Sequence, residues 1–108
     1  MFDRVATSKG IKVNPTTGTE LAVTPILPSG VWQLTFVVSA NAAATVDYYQ
    51  MSPDGATPIF GQTLYIGTAN PKVITLSLLI STNEFVKLLM GANLTGSICG
   101  SLVGLKVR

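Results

Sequence analysis

The chain contains no histidine, a single cysteine and few charges: only 11% of its 108 residues are Asp, Glu, Lys or Arg. Each shortage excludes something. Without histidine there is no Ser-His triad, no imidazole general base and no common zinc site. A lone Cys99 forms no internal disulfide, which rules out a disulfide-stapled scaffold, and with no histidine to activate it, it reads as a core residue. The five carboxylates, Asp3, Glu20, Asp47, Asp54 and Glu84, are scattered over turns and strand faces and read as solvated groups, not as an acid–base pair. No P-loop, calcium loop or dinucleotide fingerprint is present. The expectation is a non-enzyme with no cofactor and no metal.

The scarcity of charge also limits partners. Ordinary soluble domains carry about 25% charged residues. The net charge here is +2, and no Lys/Arg run offers a footprint for phosphate backbones or anionic lipid. Nucleic acid and membrane surface are therefore not expected partners. The start, "MFDRVATSKG", has Asp3 and Arg4 and no apolar core, so it does not read as a signal peptide.

What the chain does have is alternation of period two. In "VWQLTFVVSA" Trp32, Leu34, Phe36, Val38 and Ala40 share one face, and Ala44, Val46 and Tyr48 continue the pattern after a turn at Asn41 and Ala42. "SPDGATP" is rich in turn residues. "FGQTLYIGT", "KVITLSLLIS", "EFVKLLMG" and the run from Thr95 to Arg108 follow, while "TELAVTPIL" reads as a short edge strand beside Pro25 and Pro28. About seven strands with a turn roughly every ten residues predict an all-β, antiparallel β-sandwich. The competing helix is "STNEFVKLLMGAN", capped at Ser81 or Thr82 and ended by Gly91. Residues 1–18 read as an extended N-terminal arm and 19–108 as the sandwich domain. The arm holds three of the seven basic groups, yet Phe2, Val5, Ile11 and Val13 are spaced along it as side chains that can dock on a neighbour.

The stretch from Val73 to Leu105 carries only two charges, Glu84 and Lys87. Gly96, Gly100 and Gly104 have the spacing of a membrane-helix contact face. The charge-free part is short for a span, however, and interrupted by Asn93, Thr95, Ser97 and Ser101. As a strand, the same segment puts the glycines on one face and Cys99, Val103, Leu105 and Val107 on the other. Several strands are apolar on both faces. If Ile74, Leu76, Leu78 and Ile80 point inward, Val73 and Leu79 point out, and Phe85 with Leu89 form an outward pair in one of two registers of "EFVKLLM". No helix is available to cover such faces, so another subunit is expected to do so. The expected contact residues are Phe2, Val5, Ile11, Val13, Val73, Leu79, Phe85 and Leu89.

An alternative use of the surface is stacking on a sugar ring by Tyr49 or Tyr65, as in a carbohydrate-binding β-sandwich. In style the chain is similar to the small all-β virion proteins of tailed bacteriophages, above all the head decoration (cement) proteins. The likeness rests on "MFDRVATSKGIKVNPTTG", on the Thr-, Ala-, Gly- and Val-rich body "LTFVVSANAAATVDYY", and on the compact finish "GSLVGLKVR". It implies a homo-oligomer, commonly a trimer, seated on a capsid shell and contacting the major capsid or another virion protein. The location it implies is the virion, after synthesis in the host cytoplasm. Another phage assembly component is the neighbouring alternative.

Overall fold

The computed structural model describes residues 3–66 and 71–108. Eight strands build it: β1 (Arg4–Val13), β2 (Glu20–Val23), β3 (Gly30–Ala40), β4 (Ala44–Met51), β5 (Pro58–Ile66), β6 (Lys72–Ile80), β7 (Phe85–Met90) and β8 (Ser97–Lys106). They form two four-stranded antiparallel sheets, sheet A in the order β1-β8-β3-β6 and sheet B in the order β2-β7-β4-β5. Only β4 and β5 are joined as neighbours within one sheet; every other connection crosses between sheets. That is the double Greek-key arrangement of an eight-stranded jelly roll. The expected β-sandwich is present, and no helix occurs among the described residues.

Alternation explains the core. The inward residues of β3, Trp32, Leu34, Phe36 and Val38, are buried, and they meet Val46 and Tyr48 of β4, Val86, Leu88 and Met90 of β7, and Ile98 and Leu102 of β8. Phe36 and Tyr48 stack with ring centroids 5.1 Å apart. The indole N–H of Trp32 donates to the Pro28 carbonyl at 2.8 Å, so the largest core side chain leaves no buried donor unpaired. In β8 the inward positions alternate large and small. Gly100 lies against Leu21 and Leu88, and Gly104 against Leu34, Val5 and Trp32.

Three features depart from the sequence reading. First, residues 4–13 are not an arm outside the sandwich but its eighth strand. They pair with β8 from Arg4↔Leu105 to Val13↔Ser97, interrupted by a bulge between Ser8 and Ile11. Arg4, Lys9 and Lys12 are the three basic groups counted in that arm, and charges and a bulge are what a protected edge strand carries. Second, Asn41 and Ala42 do not close a hairpin. They carry the chain from sheet A to sheet B. Third, although "FVKLLM" is strand as read and not the competing helix, Glu84 ahead of it is buried rather than solvated. Its Oε1 accepts from the Ser81 N–H (2.8 Å) and from Gln50 Nε2 (2.7 Å), and Gln50 Nε2 also reaches the Leu79 carbonyl at 2.9 Å. This network fastens the β6–β7 turn to β4.

The sandwich is closed on one side and open on the other. β1 packs along β2. At the opposite side Ile74, Leu76 and Leu78 of β6 remain half-buried, although they face the core. Phe60 of β5 touches the Tyr48 ring yet is 49% exposed.

Two outcomes follow from this packing. A Cβ at Gly104 would lie 2.8 Å from Leu34 Cδ2 and 3.0 Å from Val5 Cγ1. Gly104→Ala should therefore destabilise the domain by roughly 1–3 kcal/mol through overpacking, read as a lower urea midpoint. In the β4–β5 turn, the Ser52 hydroxyl, the Ala56 and Thr57 N–H groups and the Thr57 hydroxyl all donate to Asp54, holding its carboxyl well below the usual aspartate range. A depressed folded-state value means that this contribution is present above the ordinary Asp value of about 3.9 and is lost only as pH falls through the folded value. The Ala56 and Thr57 amides should stay protected from exchange at pH values where an ordinary aspartate is half protonated. Asp54→Ala should abolish that protection.

Candidate interaction surface

The two sheets present very different outer faces. On sheet B the outward residues include Glu20, Asp47, Tyr49, Thr63 and Lys87, an ordinary mixture of charge and polarity. On sheet A the register builds a series of cross-strand rows. Val107, Val31 and Leu79 form one, with Val107 N–H donating to the Val31 carbonyl at 2.8 Å. Next come Leu105–Gln33–Ser77, Val103–Thr35–Thr75 and Ser101–Val37–Val73, followed by Ile11–Cys99–Ser39. Arg4 is the one charged side chain in these rows, at the corner where β1 pairs with Leu105. Lys9, in the β1 bulge at the rim, is neutralised by Glu20 at 3.2 Å.

The face is apolar as well as uncharged. Val103 and Leu105 of β8 and Val107 just beyond it are exposed, with Val73 at 60% and Leu79 at 69% on β6 and Ile11 and Val13 on β1. Between them lie hydroxyl side chains, of which Thr35 and Thr75 bond each other at 3.2 Å. A shallow open cavity of about 370 Å³ lies at one end, lined by Ile11, Ser39, Asn41, Ser97 and Cys99 among others. It contains no carboxylate and no cation, so it offers apolar contact and a few hydrogen bonds but no acid–base or metal chemistry.

Of the expected contact residues, the structure brings Ile11, Val13, Val73 and Leu79 onto this one face. The others fall elsewhere. Val5 points inward and packs on the core. Phe85 is half-buried on sheet B. Leu89 does point outward from sheet B, between Glu20 and Asp47 in register, but it is only 9% exposed within its own chain. Phe2 lies outside the described residues, as does the side chain of Tyr65. The sequence reading did not single out Val103, Leu105 and Val107 as contact residues, although their shared parity on β8 was visible. What was missing was that β1 extends the sheet and that β8 therefore sits inside it.

Tyr49 on sheet B lies across Gly61, where a Cβ would collide with its ring. Asp47 and Lys87 are its neighbours along and across the sheet. It is a single half-buried aromatic ring.

No family model matches the chain, and no curated protein sequence matches it significantly. Solved structures share its fold. The globular domain of a zebrafish complement 1qA protein aligns with a TM-score of 0.61 at 8% identity, covering 99% of this chain and 98% of that one. The vertex protein P5 of PRD1 aligns with a TM-score of 0.54 at 17% identity, covering 98% and 97%. A carbohydrate-binding module from Cellvibrio mixtus lichenase 5A, in complex with cellotriose, aligns with a TM-score of 0.56 at 13% identity, covering 98% and 88%. At these identities the likeness shows the fold alone. The chain is a β-sandwich of jelly-roll type, compatible with a structural or binding module.

Leu89 and Val103 separate burial from surface. Leu89→Asp places a carboxylate beside Glu20 and Asp47 in a site closed to water, and should cost about 3 kcal/mol or more. Val103→Asp, on the open face, should change the unfolding free energy of the isolated chain by no more than about 0.5 kcal/mol. Urea denaturation of the two variants checks both.

Proposed function

We propose that the chain is a structural protein of a virion, of the capsid decoration type. It would attach as a homo-oligomer by seating the outer face of sheet A on another virion protein, such as the major capsid protein. The observation that supports this is the charge-free face itself. A whole sheet surface with one charge, at its corner, is costly to leave in water and cheap to bury, because covering all but that corner desolvates no ion. In this reading the chain performs no catalysis. Its work is buried contact area that ties shell subunits together.

Dimensions explain why an oligomer belongs to the proposal. Four strands at about 4.8 Å spacing and nine residues at about 3.4 Å rise give a face of roughly 600 Å². That is below the roughly 800 Å² per partner of a standard stable interface. One subunit alone would hold weakly, and linked copies would gain by avidity. The match to the PRD1 vertex protein agrees with a virion setting at the level of fold. The carbohydrate-binding reading has less behind it. Of the two tyrosines it names, only Tyr49 is among the described side chains, and that ring is half-buried.

The test is composition and attachment. Particles of the virus encoding the chain should contain it in many copies by quantitative mass spectrometry. Val103→Asp should leave a folded protein that is absent from those particles. A chain missing from purified particles, or a Val103→Asp variant incorporated as well as the parent, would overturn the proposal.

A further inference from the structure

The four edge strands of the sandwich are not equally protected. An exposed edge carries unpaired N–H and C=O groups, and proteins blunt it with charge, bulges, proline or shortness. β1 has Arg4, Lys9 and Lys12 and a bulge after Ser8. β2 is four residues long, has a register shift after Glu20 and is followed by Pro25. β5 begins at Pro58, opposite a register shift in β4, and contains Gly61. β6 has no bulge, proline or glycine and is not short. It runs for nine residues, "KVITLSLLI", paired with β3 without interruption from Lys72↔Val38 to Ile80↔Gly30. Its one charge is at its first position, and it holds no proline or glycine.

β6 also fits itself. Reversed about Leu76, its sequence places Ile74 opposite Leu78, Thr75 opposite Ser77 and Val73 opposite Leu79. Each pair matches in character, apolar with apolar and hydroxyl with hydroxyl. The single cation, Lys72, falls opposite Ile80, so the two lysines of a symmetric pair stand at opposite ends. We infer that β6 is a self-pairing edge: two copies of the chain join antiparallel through β6, about a two-fold axis at Leu76, into one eight-stranded sheet.

The half-covered side of the core supports this occupant. Ile74, Leu76 and Leu78 point toward the core yet stay half-buried. Across the axis Ile74 would stand about 5 Å from Leu78 of the partner subunit, and Leu76 as close to Leu76 of the partner subunit. The same residues would complete each other's cover. At the far end Gln50 already donates to the Leu79 carbonyl, so the pairing centres on Ile74 to Leu78. Main-chain hydrogen bonds supply affinity and the matched side chains supply register, as in strand addition generally. An isologous contact of this kind closes at two copies. The outer faces of the two A sheets become continuous, which doubles the uncharged surface of the structural role proposed above, on whose self-association this inference rests.

Thr75 and Ser77 are both exposed, so charging them leaves the core intact. In the symmetric pair each faces the other. Thr75→Lys with Ser77→Lys sets lysine against lysine twice; Thr75→Lys with Ser77→Glu sets lysine against glutamate twice. Light scattering on the purified full chain should find a dimer. The Lys/Lys variant should dissociate at least tenfold more readily than the parent, and the Lys/Glu variant should remain dimeric, with circular dichroism unchanged in both. A monomeric or trimeric parent overturns the inference, as do two variants that behave alike. Because both variants charge the outer face of sheet A, loss of particle attachment in both alongside dimerisation in only one separates the two proposals. A dimer absent from particles would refute the virion role alone, and a monomer present in them would refute the pairing alone.

Discussion

The register of β3 between β8 and β6 is the constraint on which the rest of the molecule depends. β3 pairs with both neighbours over nearly its full length, without a shift on either side. With period two, that register commits Trp32, Leu34, Phe36 and Val38 to the core and Val31, Gln33, Thr35, Val37 and Ser39 to the outside. It also aligns the outward residues of β8 and β6 into rows with those of β3. A slip by one residue would expose Trp32 and bury Gln33. The flat uncharged face is thus a consequence of the same pairing that builds the core.

A two-layer sandwich covers one face of each sheet and no more. Sheet B meets water with Thr63 and with the partly exposed Glu20 and Lys87. Sheet A meets it with valines, leucines and hydroxyls. Edge protection follows the same division. The strands with bulges, charges or proline belong to edges that end at solvent, whereas β6 combines a regular backbone with apolar residues on both sides. The unguarded edge and the unguarded face belong to one sheet.

The sandwich was legible from the sequence because the inward positions of β3, β4 and β6 alternate without a break. Trp32 was readable as core for the same reason. β1 was not, because an edge strand needs only part of the hydrophobic pattern: Val5 packs inward, but Lys9 and Gly10 fall in a bulge that breaks the alternation. Leu89 failed differently. Its parity is outward, and parity alone does not reveal that its own chain closes over it. Glu84 looked like one more solvated carboxylate, since the two donors that make its burial tolerable, Ser81 N–H and Gln50 Nε2, meet it only through the fold. The face proposed for contact was half legible. The apolar residues of β6 were identifiable singly, while their union with Val103 and Leu105 required the strand order.

The hydroxyl groups on sheet A would let one surface serve both states of the proposed assembly, free and covered. A face of valine and leucine alone would aggregate before it found its partner. A face guarded by lysine and glutamate would stay soluble, but each ion would cost several kcal/mol to desolvate on assembly unless the partner supplied its counter-charge. Threonine and serine avoid both problems. Exposed, they bond water; covered, they can bond each other, as Thr35 and Thr75 already do at 3.2 Å across the β3–β6 pair. Interleaving Thr35, Thr75, Ser77 and Ser101 with Val37, Val73, Val103 and Leu105 keeps the face wettable and would place no charge in the middle of the proposed contact. The few ionic groups are kept off the middle of this face: they lie on sheet B, at the edges, at strand ends such as Lys106 of β8, and in the turns.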